Sequence, residues 1–369
     1  MKFKCEKAQL QNAVNIAIRA VAPKSPIQAL EGLLLQAGDD LRITGYNLKE
    51  GIYTTVGAEV EERGAIVVGA RLFSEMIRRL PDGIVFFEAD KNCGVNVRCG
   101  KSDYRFIGID AQDYPEMPAV EEEKSISLPQ ETLRSMINQT IFAIAQSDVR
   151  PVYTGTLFEV EEDSLTLVSV DGYRLARRTE KLEQTGWTQG SFIVPGTALS
   201  DVERICGDGE ESVKISVGNK HIAFILGDSV VVTRRLEGEF LNYRKSIPES
   251  FRHVIAVDRA EFMSVIDRVS LIVSEKNSAP VRLTFGDGSI RCLCMTPLGK
   301  AEDFCSCIGE GGGMEIGFND RYLMDALKAA GKEKLNLCIN TASSPTIIEA
   351  NDGTKGFTYM ILPVRLRAD

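Results

Sequence analysis

The chain has 369 residues, of which 44% are hydrophobic and 26% are charged, the composition of a globular protein with room for two or three domains. Its 52 aspartates and glutamates outnumber its 43 lysines and arginines, which gives a formal net charge of −9. This acidic balance argues against a protein covered uniformly with nucleic-acid-binding surface. Any cationic surface must therefore be local.

The first residues, from Met1 to Cys5, alternate like a strand and lack the charged region, apolar run and cleavage site of a secretion signal. No later stretch has the length and apolarity of a membrane span. The nine cysteines are irregularly spaced, and an odd number without a secretion signal favours reduced thiols over a disulfide framework. These observations predict a cytoplasmic protein without a membrane partner.

Six short amphipathic helix patterns follow one another along the chain. In each pattern an apolar anchor is followed three, four or seven positions later by further apolar residues, as Phe73 is by Met76, Ile77 and Leu80. The anchors recur about every 60 residues, which predicts one structural unit repeated six times. The six anchors are Leu10, Phe73, Leu133, Leu199, Phe262 and Leu323.

The opposite face of every helix pattern is polar and carries at least one cation. A single solvated helix face ordinarily carries lysine and arginine, but the repetition in all six patterns favours a shared role for these residues. The polar positions that lie away from the apolar stripes are Asn12, Asn15, Arg19, Arg71, Arg78, Arg134, Asn138, Arg204, Arg268, Arg321 and Lys328.

Local signals predict where several of these helices begin and end. Pro129 and Pro195 suit the first helical turn, because the missing N–H of proline has no partner there in any case. Asp258 and Glu261 have the spacing of a capping box. Three helices are expected to end just before Pro81, Gly207 and Gly331.

Short strand patterns lie between the helices, and glycine–aspartate turns separate many of them. One helix among several strands in each unit predicts an α+β fold of βαβββ-type units, in which a helix packs on an antiparallel sheet. Two units per domain give three similar domains, residues 1–120, 126–247 and 252–369. The strand patterns cover residues 65–68, 84–88, 165–170, 213–217, 222–226, 230–233 and 335–339.

Candidate catalytic and metal-binding residues are few. The chain has only two histidines, and no phosphate-binding loop, dinucleotide fingerprint or nucleophile elbow is present. Cys292 with Cys294 and Cys305 with Cys307 have a spacing of two, which puts both side chains on one face of a strand, whereas zinc pairs usually have two intervening residues. The sequence favours a binding protein without metal or cofactor. The alternative is a zinc-dependent enzyme built on these four cysteines.

Three segments, residues 169–176 (SVDGYRLA), 240–245 (FLNYRK) and 359–366 (YMILPVRL), resemble the bacterial sliding clamp family, the beta subunits of the replicative DNA polymerase. The resemblance runs along the whole chain. It implies a DNA clamp fold in which three domains form a crescent and two crescents close head to tail around duplex DNA, with helices lining the central hole and antiparallel sheets outside. It also implies a non-catalytic processivity factor.

The resemblance implies partners as well. These are double-stranded DNA, the catalytic subunit of the polymerase, the clamp loader, other proteins with short clamp-binding peptides, and a second copy of this chain. No cofactor is implied, since the loader would use the ATP. A monomeric scaffold that never encircles DNA is a further alternative.

Three groups of site residues are implied by the resemblance. The DNA contacts are Lys24, Arg71 and Arg78, together with Gln146 and Arg150 at the ends of the loop 146–150. The dimer interface is formed by Phe106, Leu271 and Ile272. The partner-peptide pocket is formed by Tyr153, Val170, Gly172, Tyr173, Arg174, Leu175, Leu241, Lys245, Met360, Ile361, Leu362, Pro363, Val364, Arg365 and Leu366.

Overall fold

A computed structural model describes residues 1–147, 149–182, 187, 189–209, 211–274, 279–354 and 356–366. The chain divides into two compact units. Unit 1 is residues 1–134 with 197–235, and unit 2 is residues 135–196 with 236–369. Each unit therefore includes part of the predicted central domain 126–247. In the described part of the chain, no helix is long and apolar enough to cross a membrane.

Short antiparallel strands greatly outnumber helices along the described chain. The first third contains β1 Lys2–Glu6, α1 Lys7–Ala17, β2 Gly32–Ala37, β3 Leu41–Tyr46, β4 Glu50–Val56, β5 Glu59–Glu62, β6 Gly64–Gly69, α2 Ala70–Arg79, β7 Ile84–Ala89, β8 Gly94–Cys99 and β9 Ser102–Ile107. The middle contains β10 Lys124–Pro129, α3 Gln130–Asn138, β11 Gly155–Glu161, β12 Ser164–Val170, β13 Arg174–Lys181, β14 Gln189–Pro195, α4 Gly196–Ile205, β15 Ser212–Val217, β16 His221–Leu226 and β17 Ser229–Arg234. The last third contains β18 His253–Asp258, α5 Arg259–Val269, β19 Val281–Phe285, β20 Ser289–Thr296, β21 Gly299–Ile308, β22 Met314–Phe318, α6 Asp320–Ala330, β23 Lys334–Ile339, β24 Thr346–Ala350 and β25 Phe357–Ile361.

The six predicted helices and the seven predicted strand patterns are confirmed. All six helix anchors are buried, because the apolar residues of each pattern share one face of a short helix. On α2, for example, Phe73, Met76 and Ile77 are buried, whereas Arg71 and Arg78 are exposed.

Two of the predicted helix starts need correction. Pro129 and Pro195 are the last residues of β10 and β14, so each precedes its helix by one position instead of lying in the first turn. At α5 the Asp258 carboxylate accepts the N–H of Glu261 at 2.8 Å. The Glu261 carboxylate, however, accepts the N–H of Ser306 on β21 at 2.9 Å, so the capping box is only half formed.

Unit 1 contains two antiparallel sheets. One has five strands in the order β5-β1-β7-β8-β9, and the other has eight in the order β10-β15-β16-β17-β4-β3-β2-β6. The anchors Leu10 of α1 and Phe73 of α2 lie in a core with Phe87 of the five-stranded sheet and Leu35 of the eight-stranded sheet. The two helices are therefore held by apolar contacts with both sheets.

Unit 1 also buries one carboxyl group. Glu50, at the start of β4, is only 5% exposed, and in the described part of the chain its Oε1 atom has no hydrogen-bond partner. Burial, with a smaller contribution from Asp201 on α4, raises the pKa of Glu50 to about 8. Asp201 itself forms an ion pair with Arg19 at 3.5 Å. Glu50 is therefore a destabilising group whenever it is ionised.

Unit 2 is organised on one antiparallel sheet of twelve strands, in the order β14-β11-β12-β13-β25-β24-β23-β18-β21-β20-β19-β22. The anchors Phe262 of α5 and Leu323 of α6 are buried in a core with Phe285 and Leu337 of this sheet. The strand β25 lies between β13 and β24, so residues far apart in the chain form adjacent strands. This pairing assembles the candidate functional site of unit 2.

Candidate functional site

Four apolar side chains form a row across neighbouring strands of unit 2. Ile347 on β24 is paired with Met360 on β25, Met360 with Leu175 on β13, and Leu175 with Val170 on β12. The side chains belong to one buried cluster, against which Tyr153 also packs. We call Ile347, Met360, Leu175 and Val170 the apolar row. The structure therefore brings together four of the residues that the resemblance assigned to a pocket: Tyr153, Val170, Leu175 and Met360.

Ile361 lies on the other face of the sheet. Adjacent residues of a strand point to opposite faces, and Ile361 is buried in the core with α5 and α6, whereas Met360 belongs to the apolar row. The side chain of Ile361 therefore supports the position of β25 and does not line the row.

The Arg174 side chain forms ion pairs with other residues of unit 2. Its side chain is 8% exposed, and its guanidinium donates to the Asp171 carboxylate at 2.9 Å and to the Asp325 carboxylate of α6 at 2.7 Å. The guanidinium also lies 4.4 Å from the centre of the Tyr322 ring. The Asp171 carboxylate in turn accepts the N–H of Tyr173 at 2.8 Å. Arg174 thus fixes the turn beside the apolar row.

Exposed side chains flank the apolar row. Tyr173 follows Gly172, whose φ of 94° favours glycine, and is 63% exposed. Leu241 and Lys245 are also exposed, on the segment that follows β17. We call Tyr173, Leu241, Lys245 and Val364 the rim. The combination of an apolar row and a partly charged, partly apolar rim suits the binding of a short peptide with apolar anchors.

The chain after β25 is held by two backbone hydrogen bonds. The N–H of Leu362 donates to the Tyr173 carbonyl at 2.9 Å, and the N–H of Val364 donates to the Gly317 carbonyl of β22 at 2.8 Å. Leu362, Pro363 and Leu366 are half-buried, and Val364 and Arg365 are exposed. The extension 367–369 lies outside the described residues.

Tyr243 is a site residue that sequence reasoning missed. It is buried in the same cluster as the apolar row, and its hydroxyl donates to the Glu159 carboxylate of β11 at 2.5 Å. Burial and the neighbouring carboxylate raise the pKa of Tyr243 to about 12. The available signal was an aromatic residue within the segment 240–245. Its hydrogen bond anchors the segment that carries Leu241 and Lys245.

We expect Tyr243→Phe to lower the free energy of unfolding by about 1 kcal/mol, because the half-buried Glu159 carboxylate loses the Tyr243 hydroxyl as a donor and keeps Arg244 at 3.1 Å. Urea unfolding at neutral pH measures the change. Tyr173→Phe is the matched control, since Tyr173 is exposed and its ring, not its hydroxyl, stacks on Tyr322. Equal effects of the two substitutions would contradict the anchoring role of Tyr243.

The candidate cations of unit 1 are exposed, and one of them, Arg78, is paired with a carboxylate. Lys24 lies in the segment between α1 and β2, and Arg71 lies on α2. On the same helix, the carboxylate of Glu75 forms ion pairs with Arg78 at 2.7 Å and with Arg79 at 3.0 Å. The hydrogen bond from Arg78 lowers the pKa of Glu75. The surface of α2 is therefore positively charged, and Glu75 reduces that charge.

Other cations of the helix faces also have acidic partners. Arg268 pairs with Asp303 at 2.6 Å, and Arg134 pairs with Asp208. In unit 2, Gln146 and Arg150 are exposed, and the Arg150 guanidinium lies 5.7 Å from the centre of the Tyr153 ring. Asp148, between them, lies outside the described residues. Partial neutralisation of this kind favours weak contacts over tight binding.

The candidate interface residues lie on one edge strand of unit 1 and in one turn of unit 2. Phe106 is on β9, the edge strand of the five-stranded sheet, and is half-buried against the core of unit 1. In unit 2, Leu271 is 79% exposed and Ile272 packs on the core, in the turn after α5. The neighbouring strand β21 is paired with β18 only through Cys307 and Ile308, among the described residues. The rest of β21 thus presents an edge for pairing.

The geometry can be compared with known proteins. The DNA polymerase III beta subunit family matches along the chain: its N-terminal domain at residues 1–118, its central domain at 127–242 and its C-terminal domain at 244–365. The beta sliding clamp of Bacillus subtilis (strain 168) is 31% identical, covering 99% of this chain and 100% of that protein. The chain belongs to the DNA polymerase III beta subunit family.

Solved structures of this family agree closely with the fold. A putative DNA polymerase III beta subunit from Eubacterium rectale has a TM-score of 0.93 and 32% identity, covering 99% of this chain and 100% of that chain. The DNA polymerase sliding clamp from Bacillus subtilis has a TM-score of 0.94 and 29% identity, covering all of both chains. Family membership confirms the predicted clamp fold and the predicted class, a non-catalytic sliding clamp.

Within this family fold the four paired cysteines are core residues. Cys292 and Cys294 on β20 and Cys305 and Cys307 on β21 are buried in the core with α5 and α6. Burial raises the pKa of Cys305 to about 12 and also raises that of Cys292, as expected for thiols packed in an apolar core. Packing on one face of a hairpin explains their spacing of two without a metal.

Proposed function

We propose that two copies of this chain form a ring around duplex DNA and hold the replicative polymerase on its template. The similarity to the Bacillus subtilis DNA polymerase sliding clamp over the full length of both chains carries this proposal. A ring retains DNA by topology and needs no base contacts, so its cations have only to meet phosphates weakly. The acidic net charge of the chain limits binding elsewhere. The protein works in the cytoplasm on this proposal.

The DNA-facing groups are Lys24, Arg71, Arg78, Gln146 and Arg150. All five side chains are exposed. The Glu75 carboxylate beside Arg78 supports a sliding contact, since it reduces the attraction of α2 for any one phosphate. When such a side chain moves from one phosphate to the next, it loses little binding free energy, because it is already partly paired within the protein.

The apolar row and the rim form the partner-peptide pocket in this proposal. The polymerase catalytic subunit, the clamp loader and other replication and repair proteins insert short peptides there. Apolar peptide side chains pack against the apolar row, where the flexible Met360 adapts to different shapes. Lys245 follows Tyr243, a member of the same buried cluster, and Arg365 follows Met360 on the chain; both are exposed cations and orient acidic peptides. Partners therefore compete for one pocket.

The ring closes through two heterologous contacts related by a two-fold axis. Each contact joins β9 of one copy to β21 of the other, and Phe106 packs against Leu271 and Ile272. Unpaired strand edges and exposed apolar side chains at both places support this arrangement. Each copy contributes three domains, residues 1–120, 126–247 and 252–369.

The first test is retention on DNA. The protein is loaded by its loader onto nicked circular DNA, the circle is cut, and the bound fraction is measured by gel filtration at moderate salt. Release on cutting supports encirclement. Retention after cutting indicates ordinary contact binding, and failure to load favours the monomeric scaffold.

Charge reversal tests the cations of α2. We expect Arg71→Glu with Arg78→Glu to weaken binding to duplex DNA and to reduce the slope of log K against log salt by about two, one for each phosphate that the variant no longer neutralises. Fluorescence anisotropy at several salt concentrations measures both quantities. Arg63→Glu with Lys91→Glu makes the same change in net charge at exposed positions away from α2. Equal losses in both double variants would refute the assignment.

A further inference from the structure

The eight-stranded sheet of unit 1 and eight strands of the unit 2 sheet are arranged alike. In unit 1 the order is β6-β2-β3-β4-β17-β16-β15-β10, and in unit 2 it is β14-β11-β12-β13-β25-β24-β23-β18. The edge strand of each sheet forms one isolated bridge, β6 through Val67 with Ile109, which follows β9, and β14 through Ile193 with Leu236, which follows β17. The two sheets are therefore structural repeats.

A turn that occurs in both sheets shows which residues of the two repeats correspond. The Asn47 side chain accepts the N–H groups of the second and third residues after it, and Asp171 does the same in unit 2. Counting from these turns, Gly51 on β4 corresponds to Leu175 on β13. Gly51 is paired with Val232 on β17, as Leu175 is paired with Met360 on β25. Val232 therefore corresponds to Met360. Unit 1 thus has a counterpart of the apolar row.

In this counterpart, the space at the position of Gly51 is filled by a side chain from outside the sheet. A Cβ atom at Gly51 would lie 2.6 Å from the Met117 methyl carbon and 2.7 Å from its sulfur, so the Met117 side chain occupies the space that a larger residue would take. Met117 belongs to the segment 111–122, which follows the five-stranded sheet. Methionine is flexible and adapts to neighbouring shapes.

A groove of about 750 Å³ lies between the sheet and this segment, a volume typical of ligand sites. Its apolar lining includes Tyr53, Met117, Val120, Ile225, Val230 and Val232. We call it the linker groove. All of its lining residues belong to unit 1.

One cation at the linker groove is oriented but not neutralised. The Arg42 guanidinium lies 3.6 Å from the centre of the Tyr53 ring, and stacking of this kind leaves its N–H groups available at the edge of the plane. No carboxylate of the described residues forms an ion pair with Arg42. Glu122, which also lines the groove, is held by Lys214 at 2.8 Å and by Ser216 at 2.7 Å. Among the described residues, the charged lining consists of Arg42, Glu122 and the exposed Glu116. Arg42 is therefore the place in the groove where a ligand carboxylate would bind, beside the apolar lining.

We propose that the linker groove is a second docking site, which binds a short peptide of another protein through one apolar side chain and one carboxylate. The apolar side chain packs beside Met117 and Val232, and the carboxylate pairs with Arg42, which is exposed beside Tyr53. This site is separate from the partner-peptide pocket of unit 2 and does not depend on it.

Methyl NMR of the full-length protein tests this proposal. The nine methionine methyl groups are labelled with carbon-13, and a pool of acetylated pentapeptide amides, each with one leucine or phenylalanine and one aspartate, is added to millimolar concentration. A matched pool contains asparagine in place of aspartate. We expect the aspartate pool to shift the Met117 resonance, and about a fivefold loss of affinity with the asparagine pool or with Arg42→Gln. Arg63→Gln, an exposed arginine that pairs with Asp39 outside the groove, should leave the affinity unchanged.

The resonance of Met360 separates the two sites. A shift confined to Met360 overturns the linker groove as a docking site while supporting the pocket of unit 2. An unmoved Met117 resonance, or equal responses to both peptide pools, also overturns the proposal. A Met117 response without one at Met360 supports the linker groove and counts against the pocket.

Discussion

Replacing Leu271 by aspartate should convert the dimer into a monomer and abolish retention on circular DNA. Leu271 is 79% exposed in the single chain, so the substitution leaves the core of unit 2 intact. In the proposed ring it is buried at both contacts, and each contact would lose about 2 kcal/mol of apolar burial and gain an unpaired charge. The dimer should weaken by about a thousandfold or more. Sedimentation equilibrium and the DNA-retention assay measure the two effects.

The control for this experiment is Leu48→Asp. Leu48 is also an exposed leucine, at 53%, in the turn between β3 and β4, where its φ of 72° suits aspartate. It should leave the dimer unchanged. A dimer of the Leu271 variant as stable as the parent protein would remove Leu271 from the interface and with it the proposed pairing of β9 and β21.

The second large effect concerns the buried carboxyl of Glu50. Its pKa rises from 4.5 in the unfolded chain to about 8 in the folded protein, so the unfolded state loses its proton first as the pH increases. Stability contributed by the protonated group is complete below pH 4.5 and is lost as the pH rises to about 8. The loss relative to Glu50→Gln, which cannot ionise, should reach about 5 kcal/mol.

Urea unfolding of both proteins at several pH values, at one protein concentration, measures this difference. Between pH 4.5 and 8 the parent protein should lose stability relative to the Gln variant, and above pH 8 the difference should stay constant. Glu6→Gln, at an exposed position before α1, should show no such dependence. Parallel curves for the parent and the Glu50 variant would contradict the burial of an ionisable group there.

The helices could be predicted because their information is local. Apolar residues such as Phe73, Met76 and Ile77 recur at the helical period, and this period alone decides which face is buried. The helix starts were harder to predict, since a proline suits both the last residue of a strand and the first turn of a helix. Pro129 and Pro195 occupy the strand position.

The site could be predicted from the sequence only through the family resemblance. The pairing of β13 with β25 joins Leu175 to Met360, and no short-range pattern encodes a contact over that separation. The resemblance could not distinguish Met360 from Ile361, although their side chains point to opposite faces. It also could not show that Arg174 is occupied by Asp171 and Asp325. Such distinctions depend on packing.

The position of β25 between β13 and β24 sets an order of events during synthesis. On the ribosome, β13 emerges long before β25, and until β25 arrives Leu175 has no Met360 beside it. A growing chain can therefore fold its earlier strands without completing the apolar row. Partner peptides, on the proposed function, cannot be captured by unfinished chains, so every occupied pocket belongs to a subunit that already carries its last strand.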